Sequence, residues 1–221
     1  MICTSTKVIA KDKMINLMIE KAGDFQTIIT KQTDSMRKII AAINMTLDGF
    51  CDHTAGLPDE EIHQHYTELL SQGDAILYGR TTYQLMEFWR TFLENPSEEK
   101  SMNDFAIAID NIPKIVFSHT LNNVEWKSAT IANRDLKETV LELKQSRNGG
   151  SKDIFVGSRS LIIQLMKLNL IDEFQLCIYP VVAGKGLPLF ENLNDRTIFK
   201  LVKTKTFNGG AVILYYEPRN E

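Results

Sequence analysis

The chain has 221 residues, 43% hydrophobic, 24% charged and 9% aromatic. This balance excludes collagen, low-complexity disorder and coiled coil, and the length can bury a core that needs no disulfide or metal staple. Lys and Arg total 25 against 28 Asp and Glu, a net charge of -3, so nucleic acid is not an expected partner: phosphate-backbone binding wants a basic surface.

Residues 1–35 contain no proline and one glycine, and five lysines against four acids leave them at +1. They read as an N-terminal appendage to a domain at 36–221, with Met36-Arg37-Lys38 directly before a clear strand. Arg37–Asn44 is a short apolar run bounded by turn residues, so a buried strand is expected. Asp48-Gly49 and Gly56-Leu57-Pro58 make Met45–Pro58 a loop. Ile62, Tyr66, Leu69 and Leu70 recur at helical spacing within Asp59–Ser71. Ala75–Tyr78 is a predicted strand. Thr81–Leu93 is predicted as one helix whose Tyr83, Phe88, Trp89 and Phe92 read as core, and Asn95–Glu99 breaks it. A helix over Met102–Ile109 follows, then strands at Lys114–Ser118 and Ser128–Ala132.

Asp135–Gln145 is a predicted helix closed by Asn148-Gly149-Gly150, Asp153–Val156 a strand and Ser160–Leu168 a helix. The last third changes character. Glu173–Val182, Phe199–Phe207 and Ala211–Glu217 read as long strands, the last two joined across Asn208-Gly209-Gly210, a strong hairpin signal. Strand–helix alternation followed by a hairpin predicts a single α/β domain: a central, mostly parallel mixed sheet with flanking helices and a C-terminal antiparallel pair. Ligands on such sheets sit at the carboxyl ends of the strands.

No apolar run approaches the ~20 residues of a membrane helix, so no membrane partner is expected. The N-terminus never builds the apolar core of a secretory leader. Cys3, Cys51 and Cys177 are odd in number and lack CxxC spacing, which suits free thiols in a reducing cytoplasm. Cys177, inside an apolar run, reads as a small core residue.

Three strand ends carry residues suited to a phosphorylated ligand. In Tyr78-Gly79-Arg80-Thr81-Thr82, glycine permits close backbone approach, the threonines cap or donate, and the guanidinium matches a phosphate. The same residues read equally as a helix start with a solvated arginine. In Val156-Gly157-Ser158-Arg159-Ser160-Leu161, a strand runs straight into a helix whose first N–H groups favour an anion. The segment is neither GxGxxG nor a P-loop, and either serine could simply cap the helix. Ser118 and His119 follow the third strand and suit the adenosine end of a nucleotide, although loop polarity explains them as well.

Residues 36–217 resemble the dihydrofolate reductase-like superfamily, in the branch of the riboflavin-biosynthesis reductase C-terminal domain and its stand-alone relatives. The matching residues are Asn44-Met45-Thr46-Leu47-Asp48-Gly49, then Asp74-Ala75-Ile76-Leu77-Tyr78-Gly79-Arg80-Thr81-Thr82-Tyr83. Val156-Gly157-Ser158 with Leu161, Leu168–Phe174, and Pro180-Val181-Val182-Ala183-Gly184-Lys185-Gly186 with Leu189-Phe190 complete them.

The resemblance implies an NADPH-dependent reductase of a small C=N or C=O compound, pterin- or pyrimidine-like. It further implies a homodimer. Gly79, Arg80 and Thr81 would then face the adenosine phosphates, Ser118 the adenosine side, and Gly157, Ser158, Arg159, Ser160 and Leu161 the pyrophosphate. Ala42 and Asn44 would lie near the nicotinamide, and Asn44, Asp48 and Lys185 near the substrate. Relatives often have Gly-Gly where this chain has Gly157-Ser158.

The proton donor is less visible. Asp48 is the catalytic candidate, but Asp-Gly is also good turn chemistry. Asp59, Glu60 and Glu61 follow Pro58 and read first as compensation of a helix dipole. A non-catalytic nucleotide-binding or interaction module on the same fold is the alternative. His63 and His65 at i, i+2 do not share a helix face, and no metal site is expected. The zinc-deaminase signature is absent.

Overall fold

The computed structural model describes residues 37–54, 56–146, 152–193 and 196–219. They belong to the compact unit Arg37–Glu221. The expectation for residues 1–35 and the Asn148-Gly149-Gly150 helix stop lie outside the described residues.

Strand β1 (Ile39–Thr46) leads through helix α1 (Glu60–Ser71) to β2 (Gly73–Gly79). Helix α2 (Arg80–Met86), a 3-10 turn (Glu87–Arg90), α3 (Thr91–Glu94) and α4 (Lys100–Asn111) precede β3 (Lys114–Phe117) and β4 (Ala129–Ile131). Helix α5 (Leu136–Gln145), β5 (Asp153–Val156), α6 (Arg159–Lys167) and β6 (Glu173–Tyr179) follow, then the hairpin β7 (Phe199–Thr206) and β8 (Val212–Pro218).

The strands form one sheet in the order β4-β3-β2-β5-β1-β6-β8-β7. The pairs from β4 to β6 are parallel, and β6·β8 and β8·β7 are antiparallel. The expected α/β domain with a mostly parallel sheet and a terminal antiparallel hairpin is what the chain forms.

Burial on both faces explains why β1 reads as a continuous apolar run. Its Ile39, Ala41, Ile43 and Met45 pack with α5 and α6 through Val140, Leu161, Ile162 and Leu165. On the other face Ile40 packs with Ile76, Tyr78 and Phe155 beneath Leu70 of α1, Tyr83 of α2 and Phe105 and Ile109 of α4. Each such side chain, fully buried, contributes about 1.5–3 kcal/mol of transfer free energy. A third cluster joins Ile62 of α1 to Cys177, Tyr179, Phe207 and Ile213, and Cys177 is the fully buried core residue its context implied.

Three local expectations need correction, the first being β6, which ends at Tyr179 rather than at Val182. β1 runs to Thr46 rather than stopping at Asn44, because pairing with β6 continues through Thr46 opposite Tyr179. The segment 81–93 is not one helix, and its aromatics do not share one buried face: Tyr83 is 2% exposed, Phe88 58%. Trp89 turns inward edge-on to Phe105, with ring centroids 4.5 Å apart. Tertiary packing of this kind overrides a local helical pattern.

Short β4 is held by a buried lysine at the start of β3. Lys114 Nζ donates to the carbonyls of Asp110 and Ile112 and to Ser128 Oγ, and lies 4.1 Å from the centre of the Trp126 ring. Burial lowers its pKa to about 8.

Candidate active-site crevice

The helices leaving β1 and β2 pack on one face of the sheet, and the helix leaving β5 packs on the other. β5 lies between β1 and β2. The chain therefore splits apart at the carboxyl ends of these three strands, a switch point of the kind at which open α/β sheets bind their ligands. Ser118, the turn Gly79-Arg80-Thr81, the turn Gly157-Ser158 and the end of β1 are set side by side along this edge by the strand order.

The two turns touch. Gly79 N donates to Ser158 Oγ at 2.8 Å, and Ser158 is 1% exposed. The Ser158 side chain thus turns inward and ties β2 to β5. It leaves α6 without a side-chain cap at its N-terminus. The first N–H groups of that helix, from Arg159 to Leu161, have no partners inside the helix, and its dipole favours an anion before them.

Backbone approach is also tight here. A Cβ on Gly157 would stand 3.1 Å from the Tyr78 ring, and one on Gly79 would stand 3.4 Å from Ser160 Oγ. Leu161 is buried in the core, so its contribution to the crevice edge is backbone.

Arg80 opens α2 and is exposed. Its guanidinium donates to Thr120 Oγ1 at 2.8 Å. Ser118 Oγ accepts from the N–H groups of Thr120 and Leu121, so the β3 turn is shaped to stand beside Arg80. Thr81 and His119 are exposed next to them. Arg159 is directed elsewhere: its Nε donates to Pro188 O at 2.7 Å and its guanidinium pairs with Glu191.

At the end of β1, Ala42 and Asn44 share the face that looks toward α1. Ala42 is half-buried and Asn44 exposed. Tyr66 of α1 donates its phenol proton to Asn44 Oδ1 at 2.5 Å. Burial holds the Tyr66 phenol well above its ordinary pKa, so it remains a donor. In the sequence Tyr66 reads only as one more apolar step on the helix. Nothing in its spacing reveals that its hydroxyl reaches Asn44.

Asp48 laces two loops together. Its Oδ1 accepts from Thr46 Oγ1 at 2.5 Å and Ala183 N at 3.1 Å, and its Oδ2 accepts from Gly184 N at 2.7 Å. The Thr46 hydroxyl, then the Gly184 and Ala183 amides, hold its carboxyl below the usual range. Further bonds, Leu47 N to Val181 O and Leu189 N to Gly49 O, fasten the same loops. Gly49 at φ +87° and Gly184 at φ +73° adopt the left-handed backbone this lacing needs. Lys185 is exposed on the second loop.

The acids after Pro58 serve the helix. Asp59 Oδ1 accepts from Ile62 N at 3.0 Å as the α1 cap, and Glu61 accepts from both Asn208 N and Nδ2 at 2.7 Å. His63 and His65 are both buried and face different neighbours, Trp89 and Phe207. Among the described residues no group of three or more His, Cys, Asp or Glu is placed to hold a metal ion.

A mixed sheet with this order, its switch point at the ends of β1, β2 and β5, defines the chain as an α/β protein of the dihydrofolate reductase-like fold. Residues 37–213 match the RibD C-terminal domain, and the chain belongs to that family. It is 38% identical over 184 residues to YyaP of Bacillus subtilis (strain 168), an uncharacterized protein, covering 81% of this chain and 94% of that one. Two solved structures share the fold. One is a pyrimidine reductase-like protein from Corynebacterium diphtheriae, with TM-score 0.58 and 14% identity over 86% of this chain and 94% of that one. The other is a diaminohydroxyphosphoribosylaminopyrimidine deaminase/5-amino-6-(5-phosphoribosylamino)uracil reductase from Thermotoga maritima, with TM-score 0.57 and 15% identity over 88% and 60% of the two chains.

Proposed function

We propose that the chain is an NADPH-dependent reductase delivering hydride to a small pterin- or pyrimidine-like C=N or C=O compound. The observation that carries this reading is the Gly79–Ser158 hydrogen bond, which holds two strand-to-helix turns against each other. A dinucleotide needs such a cradle for its pyrophosphate. Membership in the RibD C-terminal domain family and the reductase named in the Thermotoga structure support the chemistry.

On this reading the α6 amides and Gly157 receive the pyrophosphate. Arg80 meets the 2′-phosphate, with Thr81 and Ser118 on the adenosine side. Ala42 and Asn44 border the nicotinamide ring, which supplies the hydride. The protein's part is positioning, electrostatics and exclusion of water. Asp48 acts as a positioning carboxylate: held ionised by three donors, it shapes the loops that border the substrate and does not store a proton at neutral pH. Lys185 is free to meet an anionic substrate group.

Calorimetric titration tests the proposal. The expected result is a micromolar NADPH dissociation constant that Arg80→Ala weakens about tenfold or more, with NADH little affected. No binding at millimolar NADPH overturns it.

A second reading, a nucleotide-binding module without catalysis, draws on the engagement of Asp48, Asp59 and Glu61 in structural hydrogen bonds. NADPH binding without turnover of any pterin, pyrimidine or carbonyl substrate would establish it. Turnover abolished by a substitution in the crevice would eliminate it. We also propose that the protein is a homodimer of the reducing cytoplasm, where Cys51 and Cys177 remain free thiols.

A further inference from the structure

The amide of Asn44 has two faces, an acceptor oxygen and a donor nitrogen, and only one can look into the crevice. Tyr66 decides which. Its hydroxyl has one proton, and that proton goes to Asn44 Oδ1. The opposite amide orientation would leave the phenol proton to the Cys177 thiol beside it, a weaker acceptor. Tyr66 comes from the middle of a twelve-residue helix whose start is capped by Asp59 and clamped by Glu61, so the phenol is delivered from a firm support. Asn44 itself is exposed at the crevice edge of β1.

We propose that Tyr66 is a positioning residue that fixes the Asn44 amide with Nδ2 toward the crevice, so that the site selects a carbonyl oxygen beside the reacting carbon. The selected group is a neutral acceptor, either the carboxamide of the nicotinamide or a ring carbonyl of the substrate. This inference rests on the reductase reading and deepens it. It predicts that ligands presenting an amino group at that position are rejected, since two donors would then face each other.

The test titrates the wild type, Asn44→Asp, Asn44→Ala and Tyr66→Phe with NADPH and with 2′,5′-ADP, which lacks the nicotinamide. The NADP+-loaded proteins are titrated with uracil as a pyrimidinone probe. Asn44→Asp keeps the side-chain size and the acceptor for Tyr66 but turns an oxygen toward the ligand. It is expected to lose about tenfold in affinity, more than Asn44→Ala, with 2′,5′-ADP unchanged. Loss with NADPH assigns the cofactor carboxamide; loss with uracil alone assigns the substrate carbonyl. Tyr66→Phe is expected to weaken the same ligand about twofold, because a freed amide presents its donor only part of the time.

Equal losses in Asn44→Asp and Asn44→Ala, or none in either, overturn the proposal. The wild type offers the same test without substitution. Its Asn44 side-chain NMR signal should move with NADPH or uracil and stay fixed with 2′,5′-ADP, and a signal that none of them moves overturns the proposal. If the wild type binds neither nucleotide, the reductase reading fails and this inference with it. If the wild type binds NADPH and the variants bind alike, only the Asn44–Tyr66 assignment fails.

Discussion

Ser158 and Asp48 show how much of a side chain's role depends on what stands across from it. Next to Gly157, Ser158 reads as a ligand donor or a helix cap; its side chain caps no helix N–H and instead accepts from Gly79 N, 79 residues away in the chain. Asp48 reads as an acid near a site, and three donors fix it as a carboxylate. His65 carries a testable consequence of burial. Its Nδ1 lies 3.1 Å from Lys205 Nζ, and burial, then Lys205 and Lys203, lowers its pKa to about 4. The unfolded imidazole takes up a proton below about pH 6.5, while the folded one stays neutral down to about 4. Unfolding therefore binds a proton in that window. The contribution is full above pH 6.5 and is lost as pH falls toward 4, by at most about 3 kcal/mol. Urea denaturation of His65→Phe across this range should show a shallower pH dependence than the wild type; equal slopes would refute the assignment.

Helix α1 does three jobs with three parts of its length. Its cap Asp59 satisfies Ile62 N, its first-turn Glu61 grips the β7–β8 turn at Asn208, and its middle delivers Tyr66 to Asn44. A Cβ on Gly209 would run into the Asp59 carboxylate, so a larger residue there would push the capping side chain aside. Asp59→Ala is expected to cost about 1 kcal/mol and to lower the melting temperature by roughly 2–4 °C. NADPH affinity should be unchanged, and a large fall in it would give Asp59 a part in ligand binding as well as in capping. The segment 80–94 makes the opposite point. Its aromatics repeat at helical spacing, yet the chain tightens into a 3-10 turn at Glu87–Arg90. Local periodicity reports which residues are apolar, and the 3-10 turn sets Trp89 edge-on against Phe105.

At the scale of the whole molecule the sheet is guarded unequally. The β4 edge is three residues long, whereas β7 is an eight-residue edge strand exposed from Lys200 to Thr206. It carries Leu201 and Val202 at nearly half exposure among Lys200, Lys203 and Lys205. Lysines guard an edge against uncontrolled pairing, and a two-fold partner would cover the apolar pair between them. Light scattering should give the mass of two chains for the wild type and of one for a Leu201→Lys, Val202→Lys double variant. A wild-type monomer at working concentration would remove the dimer proposal.

Strand–helix alternation, the apolar run of β1, the Asn208-Gly209-Gly210 hairpin and the acidic start of α1 were legible in sequence order, because each is a local pattern of burial, backbone freedom or capping. The glycine turns after β2 and β5 were legible as strand-to-helix turns for the same reason. The Gly79–Ser158 bond, the lacing of Asp48 to Ala183 and Gly184, the redirection of Arg159 to Glu191 and the meeting of Tyr66 with Asn44 were decided by the tertiary structure alone. A hydrogen bond depends on two partners and a distance, and strand order sets that distance between segments up to 136 residues apart. Chain order states which groups exist; the sheet states which of them can touch.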